Sequence, residues 1–386
     1  MKTGIDSISL HIPNYFLSLE DLEKYRSNKK AVYDGIVQKH MSICPPDQDI
    51  VTMAYNAAAK IVDKENKSSI KLLLFCTETG LDFAKAAGLY IHEFLKLPND
   101  CRVLELKQAC YSAVGALQLA KDFVSSHKDS KVLIIASDVA KYKLNSSGEK
   151  TQGAGAVAMI VSENPKVLEI EDYSGVYSKN IMDFWRPNYL EHALVSPSYS
   201  VKSYIDVLEK CWKQYKKNSS LDLKDIDYFC YHTPFAPMIQ RVHKVFTNAI
   251  NKQKLNCEQI LEQTKDSLRY NCEIGNCYTA SMFISFISLL QNSKPKKGRV
   301  GFFSYGSGCV AEYFSGIIQD GFLDFVKFSE DNIEKRIKLT PQKYEEFYNF
   351  KYPQDGSELV LPVYSERAGE LRLSRIANHK RHYILS

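Results

Sequence analysis

Hydrophobic residues in this chain occur in two alternating arrangements. Short runs rich in apolar residues have the length of strands, and they lie at 71–76, 102–106, 131–136, 228–231 and 299–304. The run at 71–76 is continuously apolar after its first residue, which is typical of a strand buried on both faces. Apolar and small residues recur at helical spacing in longer segments, at 47–63, 84–94, 203–216, 239–250 and 276–290. Strands that alternate with helices predict an α/β fold with a largely parallel sheet and crossover helices.

The same rhythm of strand, helix, strand and small-residue turn occurs twice along the chain. The first occurrence occupies residues 1–165 and the second residues 166–386, although no repeat is visible residue by residue. The pattern therefore predicts a duplicated fold with two halves. From about residue 323 the chain becomes polar and aromatic, which indicates a C-terminal extension of the second half and not a third domain.

The segment 105–117 combines a polar strand end, a cysteine and a run of small residues at helical spacing. This pattern places Cys110 in the first turn of a buried helix. Unpaired N–H groups and the positive end of the helix dipole gather there, so we expect a lowered pKa and a nucleophilic thiolate. The alternative is an inert cysteine that fills space in a core helix.

Polar side chains follow three of the predicted buried strands. Glu78 comes after the strand at 71–76, Cys110 after the next strand, and His232 directly after the strand at 228–231. Ligands of layered α/β folds bind at the carboxyl ends of such strands. A carboxylate, a thiol and an imidazole that converge there supply a general base, a nucleophile and a second acid or base.

Two further positions complete this hypothesis. Glycines flank Ser307 in the turn at 305–308, where free N–H groups are suited to an oxyanion hole for a thioester, and Asn276 is placed to orient a substrate oxygen. Each signal also has a purely structural explanation. Glu78 and Asn276 can cap helices, His232 can be a satisfied core histidine, and a Gly-Ser-Gly turn can simply reverse the chain.

Composition narrows the class of protein. The chain has 386 residues, of which 45% are hydrophobic and 25% charged, so it is long enough for two core-forming halves. Its ten cysteines form no Cys-x-x-Cys pair, which favours reduced thiols in a cytoplasmic protein over a zinc site or a disulfide framework. The net charge of +5 is mild, and its lysine pairs fit solvated surface better than a nucleic-acid groove. No apolar run has the length of a membrane span, and the first residues lack the apolar core of a signal peptide.

Eight segments of the chain resemble motifs of the 3-hydroxy-3-methylglutaryl-CoA synthase family, in the thiolase superfamily. They occur in family order and cover nearly the whole chain. These segments are Thr77-Glu78-Thr79, Lys107-Gln108-Ala109-Cys110-Tyr111, Ser137-Asp138, the run from Thr151 to Met159, Asp183-Phe184-Trp185-Arg186-Pro187, His232-Thr233-Pro234-Phe235, Gly275-Asn276-Cys277-Tyr278-Thr279 and Phe303-Ser304-Tyr305-Gly306-Ser307-Gly308.

The resemblance implies a thiolase-like, duplicated five-layer α/β/α/β/α fold, a homodimer and no metal. It implies that Cys110 carries an acetyl group as a thioester, that Glu78 removes a proton from its methyl group, and that His232 polarises the β-carbonyl of the acceptor. The Cys110 and Ser307 N–H groups resemble the oxyanion hole. Further residues fall where the family lines its substrate pocket: Tyr142, Thr151, Asp183, Ser200, Pro234, Phe235, Asn276 and Tyr305.

One segment departs from the family members that use coenzyme A. Those members carry lysines shortly after the His-x-Pro-Phe motif, whereas here Phe235 is followed by Ala236-Pro237-Met238-Ile239. In this respect the chain resembles the synthases of polyketide β-branching, and its C-terminal residues are similar to that branch too. Such enzymes take acyl thioesters from the phosphopantetheine arm of acyl carrier proteins and hold no tightly bound cofactor.

The expected reaction is an aldol condensation of the enzyme-bound acetyl group with the β-ketone of a β-ketoacyl-carrier protein. Donor and acceptor acyl carrier proteins of a polyketide synthase are the expected partners. Because carrier proteins are acidic, we expect them to dock on basic residues around Lys29-Lys30, or on Arg241 and Lys244. No nucleic acid or membrane partner is expected.

Three other functions stay open at this point. One is an HMG-CoA synthase of the mevalonate pathway that uses acetyl-CoA and acetoacetyl-CoA. Another is a condensation like that of ketoacyl synthase III, which uses Cys, His and Asn; Glu78 and the segment 183–187 argue against it. The third is a catalytically inactive scaffold in a synthase complex, which the complete set of Glu78, Cys110 and His232 disfavours.

Overall fold

The computed structural model of the chain describes residues 2–26, 37–251, 256–365 and 367–386. Its strands are β1 (Thr3–His11), β2 (Tyr15–Ser18), β3 (His40–Ile43), β4 (Ile70–Cys76), β5 (Arg102–Leu106), β6 (Lys131–Val139), β7 (Ala154–Glu163), β8 (Leu168–Ser178), β9 (Phe184–Trp185), β10 (Leu194–Val195), β11 (Tyr228–Tyr231), β12 (Arg299–Gly306), β13 (Val310–Ile318), β14 (Val326–Lys327), β15 (Ile337–Lys338), β16 (Leu359–Val360), β17 (Leu371–Ala377) and β18 (Lys380–Leu385). Its α-helices are α1 (Leu19–Tyr25), α2 (Ile50–Ala58), α3 (Gly88–Phe94), α4 (Ser112–Ser126), α5 (Pro197–Ser219), α6 (Ala236–Asn251), α7 (Cys257–Ile274), α8 (Ser281–Asn292), α9 (Asp331–Glu334) and α10 (Pro341–Asn349).

The central sheet is built from two groups of strands with the same arrangement. One group has the order β5-β4-β6-β7-β1 and the other β11-β12-β13-β8. In each group one parallel pair, β4 with β6 or β11 with β12, is followed by two antiparallel pairings. The groups meet where β1 pairs with β8 over two residues. The repeated topology confirms the duplicated fold, while the division of the chain at residue 165 stays a prediction. The expectation of a largely parallel sheet is wrong, because antiparallel pairings join β6, β7, β1 and β8 as well as β12, β13 and β8.

Three clusters of buried side chains define the layers. Helices α4 and α8 pack between the two groups of strands and share one core with both of them. Helices α2 and α3 cover the outer face of the first group. Helices α5 and α6 cover the outer face of the second group. The molecule is thus layered α/β/α/β/α, as the resemblance implied.

The continuous apolar run of β4 follows from this layering. Leu72 and Leu74 face the middle core, whereas Leu73 and Phe75 face the core under α2. Successive side chains of a strand point to opposite faces of its sheet, so a strand covered by helices on both sides needs apolar residues at every position.

Several helix boundaries differ from those predicted, because local side-chain contacts decide them. Helix α2 begins only at Ile50, since the Asp49 carboxylate accepts the N–H groups of Val51 and Thr52 as a cap. Helix α3 begins at Gly88 and not near residue 84. Helix α7 was not predicted at all, because its buried apolar positions are widely spaced among polar residues.

The C-terminal extension packs onto the first half of the chain. Strand β14 pairs with β1, and β15 pairs with β2. Leu371, Leu373 and Tyr383 enter the core under α2. The buried Asp47 carboxylate also accepts the N–H groups of Tyr364 and Ser365. This region therefore adds to an existing core and does not build one of its own.

Candidate active site

Glu78 and Cys110 meet where the neighbouring parallel strands β4 and β5 end. The Cys110 thiol donates a hydrogen bond to Glu78 Oε1, with 2.8 Å between sulfur and oxygen. Burial and, after it, the negative charge of Asp138 raise the pKa of Glu78 to about 8. Burial and the adjacent Glu78 carboxyl raise the pKa of the Cys110 thiol well above its usual value. At neutral pH the pair is therefore mostly protonated.

The expectation that a helix N-terminus lowers the pKa of Cys110 is wrong. Helix α4 begins two residues later, at Ser112, and Cys110 lies in a loop where Ala109 has a positive φ of 45°. The carboxyl group of Glu78 lies against the sulfur, and desolvation is the larger effect. The arrangement instead offers a proton acceptor directly at the thiol, because an ionised Glu78 can take the proton that leaves on attack.

A buried carboxylate behind this pair clamps the loop that carries Glu78. Asp138, at the end of β6, accepts hydrogen bonds through Oδ1 from the Glu78 N–H at 2.8 Å and from the hydroxyl groups of Thr77 and Thr79. Its Oδ2 accepts both the N–H and the hydroxyl group of Thr279, in the second half of the chain. Sequence reasoning did not select Asp138 as a site residue, although it too follows the buried core of a strand.

His232 directly follows β11 and is 2% exposed. Its backbone is fixed on both sides, because its N–H donates to the Phe303 carbonyl and its carbonyl accepts the Tyr204 hydroxyl at 2.8 Å. Within the described residues its Nδ1 has no hydrogen-bond partner. Burial lowers the pKa of His232 to about 3, so the ring is neutral at physiological pH. It can act as a neutral donor to an oxygen that gains negative charge.

The turn after β12 lies against the loop of Cys110. The Gln108 amide donates to the Ser307 carbonyl at 3.2 Å. Gly306 allows this approach, since a Cβ there would lie 2.5 Å from the Gln108 carbonyl oxygen and 2.7 Å from the Tyr111 nitrogen. Ser307 and Cys110 therefore belong to loops in direct contact. The oxyanion hole assigned to their N–H groups stays a prediction.

Asp183, Ser200 and Tyr305 come together, but in a network internal to the protein. The Asp183 carboxylate is completely buried and accepts the Tyr305 hydroxyl at 2.7 Å, the Gly308 N–H at 2.9 Å and the Ser200 hydroxyl at 3.2 Å. These contacts fix the turn at 305–308. Direct contact of the three side chains with substrate stays a prediction.

Three aromatic rings surround the side of the site where Cys110 packs. Tyr142, Phe184 and Tyr278 contact one another edge to face, with ring centroids 5.8 to 6.3 Å apart. Cys110 packs against the cluster of which these rings are part. Sequence reasoning chose only Tyr142, although Phe184 and Tyr278 lie inside the motifs that carried the resemblance.

Asn276 is anchored from both halves of the chain. Its N–H donates to the Thr151 carbonyl at 3.0 Å, and its side-chain oxygen accepts the Tyr278 N–H and the Ser281 hydroxyl. Contact of the Asn276 amide nitrogen with a substrate oxygen stays a prediction. Pro234 and Phe235 are half-buried directly before α6.

A cleft of about 1210 Å³ leads to this region. It is formed by the loops after β4 and β5, by the segment 178–188 and by the turn between β12 and β13. Glu78, Ser307, Tyr278 and Arg186 line it, whereas Cys110 and His232 do not. Arg186 donates to the Glu78 carbonyl at 2.7 Å and so ties two walls together.

No helix of the described ranges has both the length and the apolar character needed to cross a membrane. No group of three or more His, Cys, Asp or Glu side chains in the same ranges is placed to hold a metal ion.

Comparison with known proteins gives one consistent family. The model of the hydroxymethylglutaryl-coenzyme A synthase N terminal matches residues 1–166, and that of the C terminal matches residues 168–254 and 243–353. The hydroxymethylglutaryl-CoA synthase of Enterococcus faecalis is 36% identical over 354 residues, 90% of this chain and 92% of that protein. The polyketide biosynthesis 3-hydroxy-3-methylglutaryl-ACP synthase PksG of Bacillus subtilis (strain 168) is 33% identical over 370 residues, 89% of this chain and 87% of that protein.

Solved structures agree with the sequence comparison. A crystal structure of an HMG-CoA synthase complexed with CoA has a TM-score of 0.93 and 35% identity, and the alignment covers 100% of both chains. The HMG synthase of the curacin biosynthetic pathway, in complex with holo donor-ACP, has a TM-score of 0.91 and 27% identity, again over 100% of both chains.

Proposed function

The chain belongs to the hydroxymethylglutaryl-CoA synthase family, with its thiolase-like fold, and we propose that it serves polyketide β-branching with acyl carrier proteins as its substrates. As a member of this family it is an acyl-transferring enzyme that forms a carbon–carbon bond. The identity of the acyl carrier is the part that we propose.

The reaction begins with the exchange of a thioester. Cys110 attacks the acetyl carbonyl, its proton passes to Glu78, and the phosphopantetheine thiol leaves with a proton. Glu78 then removes a proton from the acetyl methyl group. The oxyanion hole stabilises the enolate through the Cys110 and Ser307 N–H groups. The hydrogen bond between Cys110 and Glu78 supports the assignment of both proton transfers, from the thiol and from the methyl group, to Glu78. It places the carboxyl group at the sulfur that carries the acetyl group.

The enolate carbon attacks the β-ketone of the acceptor. His232 donates a hydrogen bond to the ketone oxygen through its ring N–H, and the proton that Glu78 took from the methyl group neutralises the resulting alkoxide. A neutral imidazole suits this step, since it donates without placing a cation in the buried site. Water then cleaves the Cys110 thioester, which regenerates the thiol. The product keeps its own thioester and carries a hydroxyl group and a carboxymethyl branch on its β-carbon.

The proposal of a carrier protein rests chiefly on the start of α6. Ala236 begins the helix directly after Phe235, and its first turn holds no lysine that would meet the phosphates of a nucleotide. Arg241 and Lys244 lie further along, exposed on the outer face of α6, and pair with no acidic side chain of the described residues. An acidic carrier protein complements them. Lys29 and Lys30, the other predicted docking residues, lie outside the described residues.

A second candidate is the HMG-CoA synthase reaction with acetyl-CoA and acetoacetyl-CoA. The observation in its favour is that the E. faecalis enzyme and the CoA-bound structure score slightly higher than their polyketide counterparts, with 36% against 33% identity and TM-scores of 0.93 against 0.91. Homodimerisation and a cytoplasmic location stay predictions of the sequence under both candidates.

Intact-protein mass spectrometry after mixing with an acetyl donor separates the candidates. We expect an acetyl adduct on Cys110 to form much faster from acetyl-carrier protein than from acetyl-CoA at equal concentration. Cys110→Ala is the control and shows no adduct with either donor. Equal or faster labelling by acetyl-CoA contradicts the carrier-protein proposal and favours the second candidate.

A further inference from the structure

Glu312 is a buried carboxylate that takes no part in the proposed reaction. It lies on β13 and is 2% exposed. Its Oε2 accepts the hydroxyl group of Tyr111 at 2.8 Å. The lysine whose charge acts on it, Lys121, is instead paired with Asp172 at 2.7 Å. A carboxylate buried without a paired cation destabilises a fold unless its hydrogen bonds compensate, so the bond to Tyr111 has a large share in keeping Glu312 where it is.

Tyr111 connects this carboxylate to the nucleophile. It directly follows Cys110 and precedes the first residue of α4. Its ring packs on that helix, since a Cβ on Gly115 would lie 3.1 Å from Tyr111 Cε1. Its other end packs on the turn after β12, since a Cβ on Gly306 would lie 2.6 Å from Tyr111 Cβ. The bond to Glu312 therefore fixes a residue that a helix and a turn already confine.

The hairpin formed by β12 and β13 holds the loop of Cys110 on both sides of the cysteine. Before Cys110, the Gln108 amide donates to the Ser307 carbonyl at 3.2 Å. After it, the Tyr111 hydroxyl donates to Glu312. Ser307 lies in the turn of this hairpin and Glu312 on its second strand. Cys110 thus belongs to a short segment of the first half whose two ends bind one hairpin of the second half.

The two N–H groups assigned to the oxyanion hole lie on these two segments. One belongs to Cys110 in the loop and the other to Ser307 in the turn of the hairpin. Such a hole stabilises an enolate only when both N–H groups reach the same oxygen, at about 2.7 to 3.1 Å. The position of the loop relative to the hairpin therefore decides whether the hole works, and the contact of Tyr111 with Glu312 helps to set that position.

The chemistry of the contact suits a permanent support. Burial and, after it, the charge of Glu312 raise the pKa of the Tyr111 hydroxyl, so this group keeps its proton and remains a donor. A hydrogen bond to a carboxylate is shorter and stronger than one to a neutral acceptor. The two side chains thus form a directional link between the halves of the chain.

We propose that Glu312 is a positioning residue of the oxyanion hole, which through Tyr111 holds the Cys110 N–H at the distance from the Ser307 N–H that the thioester oxygen requires. Glu312 itself touches no reacting atom. The inference rests on the proposed function only in the assignment of these two N–H groups to the hole. It does not depend on which carrier delivers the acetyl group.

Infrared spectroscopy of the acetyl-enzyme measures the oxyanion hole directly. The acetyl donor carries carbon-13 at the carbonyl, so that an isotope difference spectrum isolates the C=O stretch of the Cys110 thioester. Hydrogen bonds to the oxygen lower this frequency. In Tyr111→Phe and Glu312→Ala the band is expected at a higher frequency than in the wild type. Glu312→Gln keeps an acceptor oxygen and should restore the wild-type frequency. An unchanged band in both of the first two variants overturns the proposal.

Steady-state kinetics give a second readout. Tyr111→Phe and Glu312→Ala should each lower kcat for condensation at least about tenfold and change the KM for the acetyl donor less than about twofold, because the hole acts on the transition state. The double variant should be no slower than either single variant, since both remove the same contact. Tyr215→Phe and Glu171→Ala are the matched controls and should keep the wild-type kcat, because both side chains bind β13 at Ser315, away from the loop of Cys110.

Two kinetic outcomes would overturn the proposal. One is a double variant about 100-fold slower than the wild type, since independent effects add in free energy. The other is an equal loss of kcat in the two control variants, which would assign the effect to general destabilisation. Acetyl-CoA and acetyl-carrier protein both serve as donors, so a preference for acetyl-CoA contradicts the carrier-protein proposal and still leaves the role of Glu312 measurable.

Discussion

At the residue scale, burial is the main cause of the raised pKa values of Glu78 and Cys110. The neighbouring Glu78 carboxyl group raises the pKa of the thiol further, whereas the hydrogen bond from Cys110 partly offsets the rise at Glu78. A thiol in this state is a poor nucleophile until its proton has left. The proton acceptor lies 2.8 Å away, so the two residues function as one unit, and their titration belongs to the pair.

Glu78→Gln should separate acetyl transfer from condensation. We expect the variant still to form the acetyl adduct, because removal of the Glu78 charge lowers the pKa of Cys110 and offsets the loss of the base. Condensation should fall at least about 100-fold, since no other group at the sulfur removes the methyl proton. Adduct formation by mass spectrometry and product formation by chromatography measure the two steps. Substantial condensation by Glu78→Ala would show that Glu78 is not the base.

The condensation rate should rise with pH through the pKa of Glu78. Glu78 must be ionised to accept the methyl proton, and with a pKa of about 8 its ionised fraction falls about tenfold for each pH unit below 7. His232 adds no second limb between pH 6 and 9, because its pKa of about 3 keeps it neutral there. The measurement is kcat for condensation from pH 6 to 9. A rate independent of pH over this range contradicts the assignment.

At the scale of elements, the strands carry the chemistry and the helices behind them fix its position. Glu78, Asp138 and His232 follow or end strands whose side chains are buried between helix layers. Loops then join these ends, through the Asp138 clamp on one side and the contact of Gln108 with Ser307 on the other. A rigid layered scaffold therefore presents loop residues at the precision that catalysis requires.

Helix α6 provides the test of carrier-protein docking. Arg241→Glu combined with Lys244→Glu should raise the KM for acetyl-carrier protein about tenfold or more, because charge complementarity is lost, and should leave acetyl transfer from acetyl-CoA unchanged. Lys213→Glu, a reversal on the exposed face of α5, is the matched control. Steady-state labelling of Cys110 at low salt measures the KM for acetyl-carrier protein and the rate of acetyl transfer from acetyl-CoA. An unchanged KM for the carrier protein would exclude α6 as the docking site.

At the scale of the whole molecule, the middle layer makes the two halves depend on each other. Helix α4 comes from the first half and α8 from the second, and they share one core with strands from both. The Asp138 clamp crosses the same boundary through Thr279. Each half taken alone would expose the apolar face that the other now covers.

A fragment of residues 1–165 should therefore not fold alone. Without the second half, α4 and β1 lose the apolar side chains of α8 and of the second group of strands that share the middle core with them, and burial of apolar surface is the main stabilising contribution. We expect the fragment to aggregate, or to lack dispersed amide signals in NMR. The complete chain should unfold in a single cooperative transition by calorimetry. A well-dispersed spectrum from the fragment would show that the first half is an independent domain.

The sequence by itself determined the α/β class and its two-fold repetition, and it predicted three candidate reacting side chains. A strand covered on both faces must be apolar at every position, and a polar residue after such a strand marks its carboxyl end, so Glu78 and His232 can be selected without coordinates. The strand before Cys110 was expected to be buried too, but β5 is a partly exposed edge strand with Arg102 and Glu105 in it, so Cys110 was selected from the small-residue helix that follows. The motifs added the family, because eight spaced segments in order restrict the possibilities far more than any one of them.

Only the tertiary structure decided the electrostatics and the supporting contacts. The helix rule predicts a lowered pKa for Cys110, and the opposite direction follows from a carboxyl group 32 residues away in the chain and from burial. The Asp183 carboxylate accepts hydrogen bonds from Ser200 and from Tyr305 and Gly308 of the turn at 305–308, and no motif predicts these contacts. The order of residues likewise does not show that the Phe83 ring is exposed to solvent. A pKa and a free surface depend on distances between residues far apart in the chain, which the order of residues does not contain.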